Sequence, residues 1–386
     1  MKNRDRSKLI NIGGKLIGKN QLVFIIAEAG VNHNGRLDLA LKLIDAAADA
    51  GADAVKFQTF RAEQVATASG KMADYQKKNL GKIESQLAML KKLELKEKYY
   101  PALINRAKER GIIFLSTPHG GFESVDFLQK LKIPAFKFGS GDLTNLPLLE
   151  YAAKFSAKGG SASGEKKPMI ISTGMATIEE IRSAVKIIKK AGNDKIIILH
   201  CTTNYPTPLR EVNLLAMKTM EKEFKLPVGY SDHTEGMKIS VAAAVLGAQV
   251  IEKHFTLNKT MLGPDHKASL EPAELKEMIG QIRIMEERLA GGEKLQNLIK
   301  ELGVLRSLGN GIKKPISSEL RIAKSVRKSI VAKEDIKKGE YLTMKNLAFK
   351  RPGTGIPPNK IQAVIGRIAK LNISKDTIIK KEYIKR

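Results

Sequence analysis

Short apolar runs alternate with longer amphipathic segments along most of this chain. The runs LVFIIAEAG, AVKFQTF, GIIFLSTP, IPAFKFGSGD, PMIISTGM, KIIILHCTTNYPTP, VGYSDH and VIEKHFT read as strands. Between them, segments such as LDLALKLIDAAADAG, FESVDFLQKL, NLPLLEYAAKF, IEEIRSAVKIIKKAG and NLLAMKTMEKEF repeat apolar residues at helical rather than alternating spacing. Eight strand and helix repeats in ~270 residues predict an α/β fold, a (β/α)8 TIM barrel rather than an open doubly wound sheet.

The flanking segments set the domain organisation. Residues 1–22 contain KLINIGGKLIGKN, in which apolar positions alternate around Gly13 and Gly14, a hairpin pattern suited to closing the barrel bottom. The barrel spans 23–290. It is interrupted by a polar, lysine-rich excursion from Arg61 to Glu84, of a length that is usually functional, and by SAKGGSASGEKK, a flexible low-complexity surface loop. Residues 291–324, mostly polar apart from QNLIKELGVLRSLG, read as a linker, and 325–386 as a small domain of short strands and turns.

The 386 residues are 42% hydrophobic, ample for a large core, and include a single cysteine, Cys201, which excludes a disulfide framework. No apolar run is long enough for a signal peptide or a membrane span, so a cytoplasmic protein with no membrane partner is expected. The formal net charge of +27 invites nucleic acid, but the lysines are spread along the chain, aromatics are only 5% and tryptophan is absent. Base-stacking platforms therefore lack material. The charge reads as a solvated surface that steers an anionic substrate, and no nucleic-acid partner is expected.

Barrel chemistry sits at the carboxyl ends of the strands. Those ends hold Glu28, Lys56, Gln58, Thr117, Lys137, Ser140, Ser172, Thr203, Tyr205, Ser231, His233, Glu252 and His254. A solvated mouth is polar in any barrel. Two lysines inside apolar strands need more, because a buried ammonium costs several kcal/mol unless an anion compensates it. Lys56 and Lys137, with hydroxyls from Thr117, Ser140, Ser172 and Ser231, suit a phosphate and a carboxylate. His233 and His254 end the last two strands; if these are parallel neighbours, two imidazoles could hold a divalent metal with positions open to substrate. Spacing alone is equally consistent with two unrelated histidines. A metal there polarises an aldehyde oxygen, which suggests a phosphorylated acid condensing with a carbonyl compound. An aldolase with a Schiff-base lysine is the competing reading.

The segments IAEAGVNHNG, AVKFQTF, STP, KFGSGD, ISTGMAT, HCTTNYPTP, GYSDHT, EKHFTL and GPDHKASLEP, in that order, resemble the sialic acid synthases: the NeuB-type N-acetylneuraminate synthases and their legionaminate and pseudaminate relatives. The tail, SVRKSIVAKEDIKKGEYLTMKNLAFKRPGTGI, resembles the antifreeze-like SAF domain, a β-clip, that ends those enzymes. The resemblance covers nearly the whole chain from Val23 onward.

It implies a transferase that condenses phosphoenolpyruvate with an open-chain 2-acetamido sugar and releases phosphate, giving a 2-keto acid. N-acetylmannosamine is the first choice of sugar, making N-acetylneuraminate; a diacetamido-trideoxy-hexose, making legionaminate or pseudaminate, is the alternative. It also implies a divalent cofactor on His233 and His254, Mn2+ before Mg2+ or Co2+. Lys56, Thr117, Lys137, Ser140, Ser172 and Ser231 match phosphoenolpyruvate positions, as does Thr203, where some members have asparagine. Glu28, Gln58, Tyr205 and Asp265 match positions near the sugar, with Glu28 as acid or base. Arg351, in KRPG, matches an arginine that reaches the sugar from the partner's SAF domain, which implies a domain-swapped homodimer. Asp142 stands where many members have glutamate. A barrel kept only to bind a saccharide would not need the metal pair, and synthases of 3-deoxy-octulosonate or deoxy-heptulosonate phosphates do not explain the KRPG domain.

Overall fold

The computed structural model describes residues 9–81, 83–157 and 166–385; most of SAKGGSASGEKK lies outside them. The chain opens with an antiparallel hairpin, β1 (Ile10–Ile12) and β2 (Lys15–Ile17). Gly13 and Gly14 make its turn at φ 57° and 93°, the left-handed values that a tight hairpin demands.

Eight parallel strands follow: β3 (Phe24–Gly30), β4 (Ala54–Thr59), β5 (Ile113–Pro118), β6 (Phe136–Phe138), β7 (Met169–Ser172), β8 (Ile196–Cys201), β9 (Val228–Asp232) and β10 (Val250–His254). Their order is β5-β4-β3-β10-β9-β8-β7-β6, and the edge strands β5 and β6 pack side by side, so the sheet is a nearly closed TIM-like barrel. The helices lie between successive strands, as right-handed crossovers require.

Alternation along the strands sorts the barrel interior by height. Ile26, Ala54, Leu115, Ala135, Ile170, Leu199 and Val250 form one buried apolar cluster, and Ile10, Ile12 and Ile17 of the hairpin belong to it, so the hairpin plugs the lower end. One step of two residues further along the same faces come Glu28, Lys56, Thr117, Lys137, Ser172, Cys201 and Glu252, which line a cavity at the upper end. Gly229 sits in the lower layer because there is no room for more: a Cβ there would lie 2.3 Å from the Val250 carbonyl oxygen.

The Arg61–Glu84 excursion is partly helical, with short helices at Ala62–Val65 and Asp74–Leu80. The stretch after the barrel is fastened rather than free. Leu298, Ile299 and Val304 join the main core, and the Leu214 and Leu215 amides donate to Ser307 and Leu308 carbonyls at 2.9 Å. Helix Ser317–Val326 then leads into the SAF domain, built on β11 (Ser329–Ala332), β12 (Leu347–Lys350), β13 (Ile368–Ala369) and β14 (Ile384–Lys385) around Ile330, Leu342, Phe349, Val364 and Ile379.

This domain lies over the mouth of its own barrel. Arg351 exchanges backbone hydrogen bonds with Val65 and Thr67 at 2.8 and 3.0 Å, and Lys328 pairs with Asp142 at 2.9 Å. In this single chain Arg351 lines the mouth of its own barrel.

Candidate active site

Four charged side chains meet in the barrel's upper layer. Lys56 Nζ stands 2.5 Å from Glu28 and 3.7 Å from Glu252, while Lys137 Nζ is 3.0 Å from the other oxygen of Glu252. All four are at most 4% exposed, so neither ammonium is left without a counter-ion in low dielectric. Burial raises the Glu28 pKa and Glu252 adds to this, while Lys56 opposes both. Burial, reinforced by Lys56, lowers Lys137 despite the pull of Glu252. A Schiff-base lysine needs a free amine, and both candidates are engaged by carboxylates.

The hydroxyls form a second group. Thr117 accepts from Lys56 at 3.2 Å, and Ser231 donates to Glu252 at 2.9 Å. Ser140, in a turn just after β6, accepts the Gly174 amide at 2.9 Å. Ser172 Oγ and Thr203 Oγ1 are buried with no partner among the described residues. Unpaired buried hydroxyls beside two ammoniums are donors waiting for an anion.

His233, just past β9, and His254, at the end of β10, bring their imidazoles together with ring centroids 5.5 Å apart. His233 Nδ1 lies 2.8 Å from the Thr202 carbonyl and 3.5 Å from Cys201 Sγ; burial acts to lower its pKa, but Cys201 and the Thr202 carbonyl outweigh it and raise it. His254 Nδ1 is buried without a partner, and burial, then His233, drives its pKa well below the ordinary value, so it is neutral. A neutral imidazole is the form that ligates a metal. Among the described residues no group of three or more His, Cys, Asp or Glu stands ready to hold one, so a metal would have two protein ligands and several open positions.

The Tyr205 ring lies tilted over His233 with centroids 4.0 Å apart, and Tyr75 stacks on Tyr205 at 4.9 Å. Gln58 donates to Glu28 at 3.3 Å. Asp265, on the loop after β10, has its pKa raised to about 6 by burial and then by Glu28. Arg351 Nε is buried without a partner. Val31, Phe60, Val65, Met89, Leu90 and Leu93 make one flank of the cavity apolar, next to the Val65–Arg351 contact.

All fourteen residues singled out from sequence line this one cavity. Glu252 was visible only as a polar strand end, although its period-two spacing from Val250 and His254 puts it on the same face as both. Tyr75 comes from a segment whose conformation the chain's pattern left open. Asp142 has a local function: it bridges Lys328 and His119, at 2.9 and 3.2 Å, within the interdomain contact.

The NeuB family model matches residues 43–294 and the SAF domain model residues 327–385. An N,N'-diacetyllegionaminic acid synthase from Campylobacter jejuni is 49% identical over 92% of this chain and 98% of its own. One of the same name from Legionella pneumophila is 43% identical over 96% and 97%. Among solved structures, the spore coat polysaccharide biosynthesis protein SpsE of Bacillus subtilis is 35% identical, covers 98% of this chain and 99% of its own, and superposes with a TM-score of 0.80. No helix among the described residues is long and apolar enough to cross a membrane.

Proposed function

Because the chain belongs to the NeuB family, a family of phosphoenolpyruvate-dependent synthases, we propose that it joins phosphoenolpyruvate to a 2,4-diacetamido-trideoxy-hexose, releasing phosphate and forming N,N'-diacetyllegionaminate. N-acetylmannosamine, the first choice from the motifs, gives way to this alternative. The observation that carries the choice is the apolar flank of Val31, Phe60, Val65, Met89, Leu90 and Leu93. Methyl groups at the sugar's deoxy end and on a second acetamido group bury favourably there, whereas a hydroxyl or phosphate would lose hydrogen bonds to water. The lining holds three Lys or Arg side chains, Lys56, Lys137 and Arg351. Both lysines face the donor's phosphate and carboxylate, so a phosphosugar's second dianion would be poorly matched. Two relatives carrying the legionaminate name at 49% and 43% identity support the same choice.

In this reading Lys56 and Lys137, with Thr117, Ser140, Ser172, Thr203 and Ser231, hold phosphoenolpyruvate. His233 and His254 would hold a divalent ion such as Mn2+, which when bound polarises the aldehyde oxygen. Carbon three of the donor attacks the aldehyde, positive charge develops at carbon two, water adds there, and carbon–oxygen cleavage expels phosphate. Glu28, already raised by burial, manages the proton of that water. Lys56 and Lys137 stabilise the phosphate as it leaves. Gln58, Tyr205, Asp265 and Arg351 orient the sugar.

Phosphate release against N-acetylmannosamine, its 6-phosphate and diacetamido-trideoxy-hexoses tests the assignment. The manno-configured diacetamido sugar should exceed the others in kcat/KM by about tenfold or more. Preference for N-acetylmannosamine or its phosphate would overturn it.

A further inference from the structure

Glu319 is a carboxylate only 2% exposed that the chemistry above does not use. It projects from helix Ser317–Val326, in the strap between barrel and SAF domain. Its Oε1 accepts the amides of Met175 at 2.7 Å and Thr203 at 2.8 Å, and its Oε2 accepts that of Ile316 at 3.2 Å. The first two amides belong to different loops: Met175 follows Ser172 at the end of β7, and Thr203 follows β8.

Both loops are held under constraint. Met175 adopts φ 60°, a conformation that a long side chain rarely takes. Its amide is tied by Glu319, and its carbonyl accepts from Arg327 at 2.7 Å, which also grips Glu180. Beside it, a Cβ on Gly174 would lie 1.9 Å from Thr203 Oγ1 and 2.8 Å from Ser140 Oγ, so the loops are in close contact. Lys313, from the same strap, donates to the Cys201 carbonyl at 3.3 Å. The hydroxyls left without a partner among the described residues belong to Ser172, which ends β7 just before the first loop, and to Thr203 in the second.

We infer that Glu319 is a positioning residue for the anion end of the site. One carboxylate oxygen staples the β7 and β8 loops together, so the anion pocket is complete only while the strap is docked. A carboxylate cannot bind a phosphate, so its contribution is geometric. Without it two buried amides lose their acceptor, and the strained turn at Met175 relaxes. The inference rests on the proposed donor for the identity of the anion.

The test uses the full chain with Glu319→Ala, Glu319→Gln and Arg327→Ala. Two quantities are read: the rise in melting temperature given by phosphoenolpyruvate alone, and the separate KM values for donor and sugar. Glu319→Ala should raise the donor KM about tenfold or more, equivalent to ~1.4 kcal/mol, with the sugar KM within about twofold. Glu319→Gln, which keeps the shared acceptor oxygen, should recover most of the loss. Arg327→Ala releases the same turn from its other end, so it decides the matter if Glu319→Ala does not fold. Unchanged donor KM in the variants, or equal rises in both KM values, would overturn the inference. A parent that gains no thermal stability from phosphoenolpyruvate refutes the donor reading itself. A parent that gains it, with variants that match it, refutes only the strap.

Discussion

The Glu28 carboxylate lies 2.5 Å from the Lys56 ammonium, both buried at the barrel mouth with parallel strands holding them in register. On the function proposed, the lysine is kept charged for an incoming anion, and the carboxylate becomes available when that anion takes the lysine over. Glu28→Gln should preserve the fold and lower kcat for phosphate release by about 100-fold or more. A variant that turns over at the parent rate would remove Glu28 from the proton steps.

Glu252 touches both lysines and Ser231. Truncating one member of a buried ionic group leaves charges uncompensated, so Glu252→Ala should destabilise the protein by roughly 3–5 kcal/mol. Phosphate should restore part of that loss in the variant more than in the parent, because a dianion takes the place of the missing carboxylate. Denaturant titration with and without phosphate checks both.

Asp265 opposes folding at neutral pH. Its pKa rises from an ordinary 3.8 to about 6 in the folded chain, so the charged form is the disfavoured one. The penalty is complete above pH 6, fades as pH falls through 6, and vanishes below the unfolded value. Asp265→Asn should therefore melt higher than the parent at pH 7 to 8, with the difference closing towards pH 4, while its sugar KM rises. Melting curves across that range check the sign.

The two imidazoles predict a metal effect that can be read without turnover. Mn2+ should raise the melting temperature of the parent, and His233→Ala or His254→Ala should abolish the rise. A rise retained in both variants would place the ion elsewhere.

Arg351 reaches the mouth of its own barrel, and this arrangement can be told from exchange between subunits by mixing. Arg351→Ala and Glu28→Gln chains, unfolded and refolded together, should recover no activity when each site uses its own arginine. Recovery would require an arginine from the other chain.

The chain's own pattern determined the barrel and most of its chemistry. Period-two alternation decides which strand residues face inward, and in parallel strands the last inward positions must converge on one mouth; Glu28, Lys56, Lys137, His233 and His254 therefore had to meet. The spacing of the two imidazoles, the counter-ion role of Glu252 and the engagement of both lysines depended on distances that only packing sets. So did everything contributed by the irregular segments. Tyr75, Glu319 and the path of Arg351 lie where neither alternation nor helical spacing constrains direction, and the long polar stretch that reads as a free linker is fastened by backbone hydrogen bonds that leave no mark on composition. Local periodicity can specify which face a side chain takes, but which distant segment meets it is settled by the folded chain as a whole.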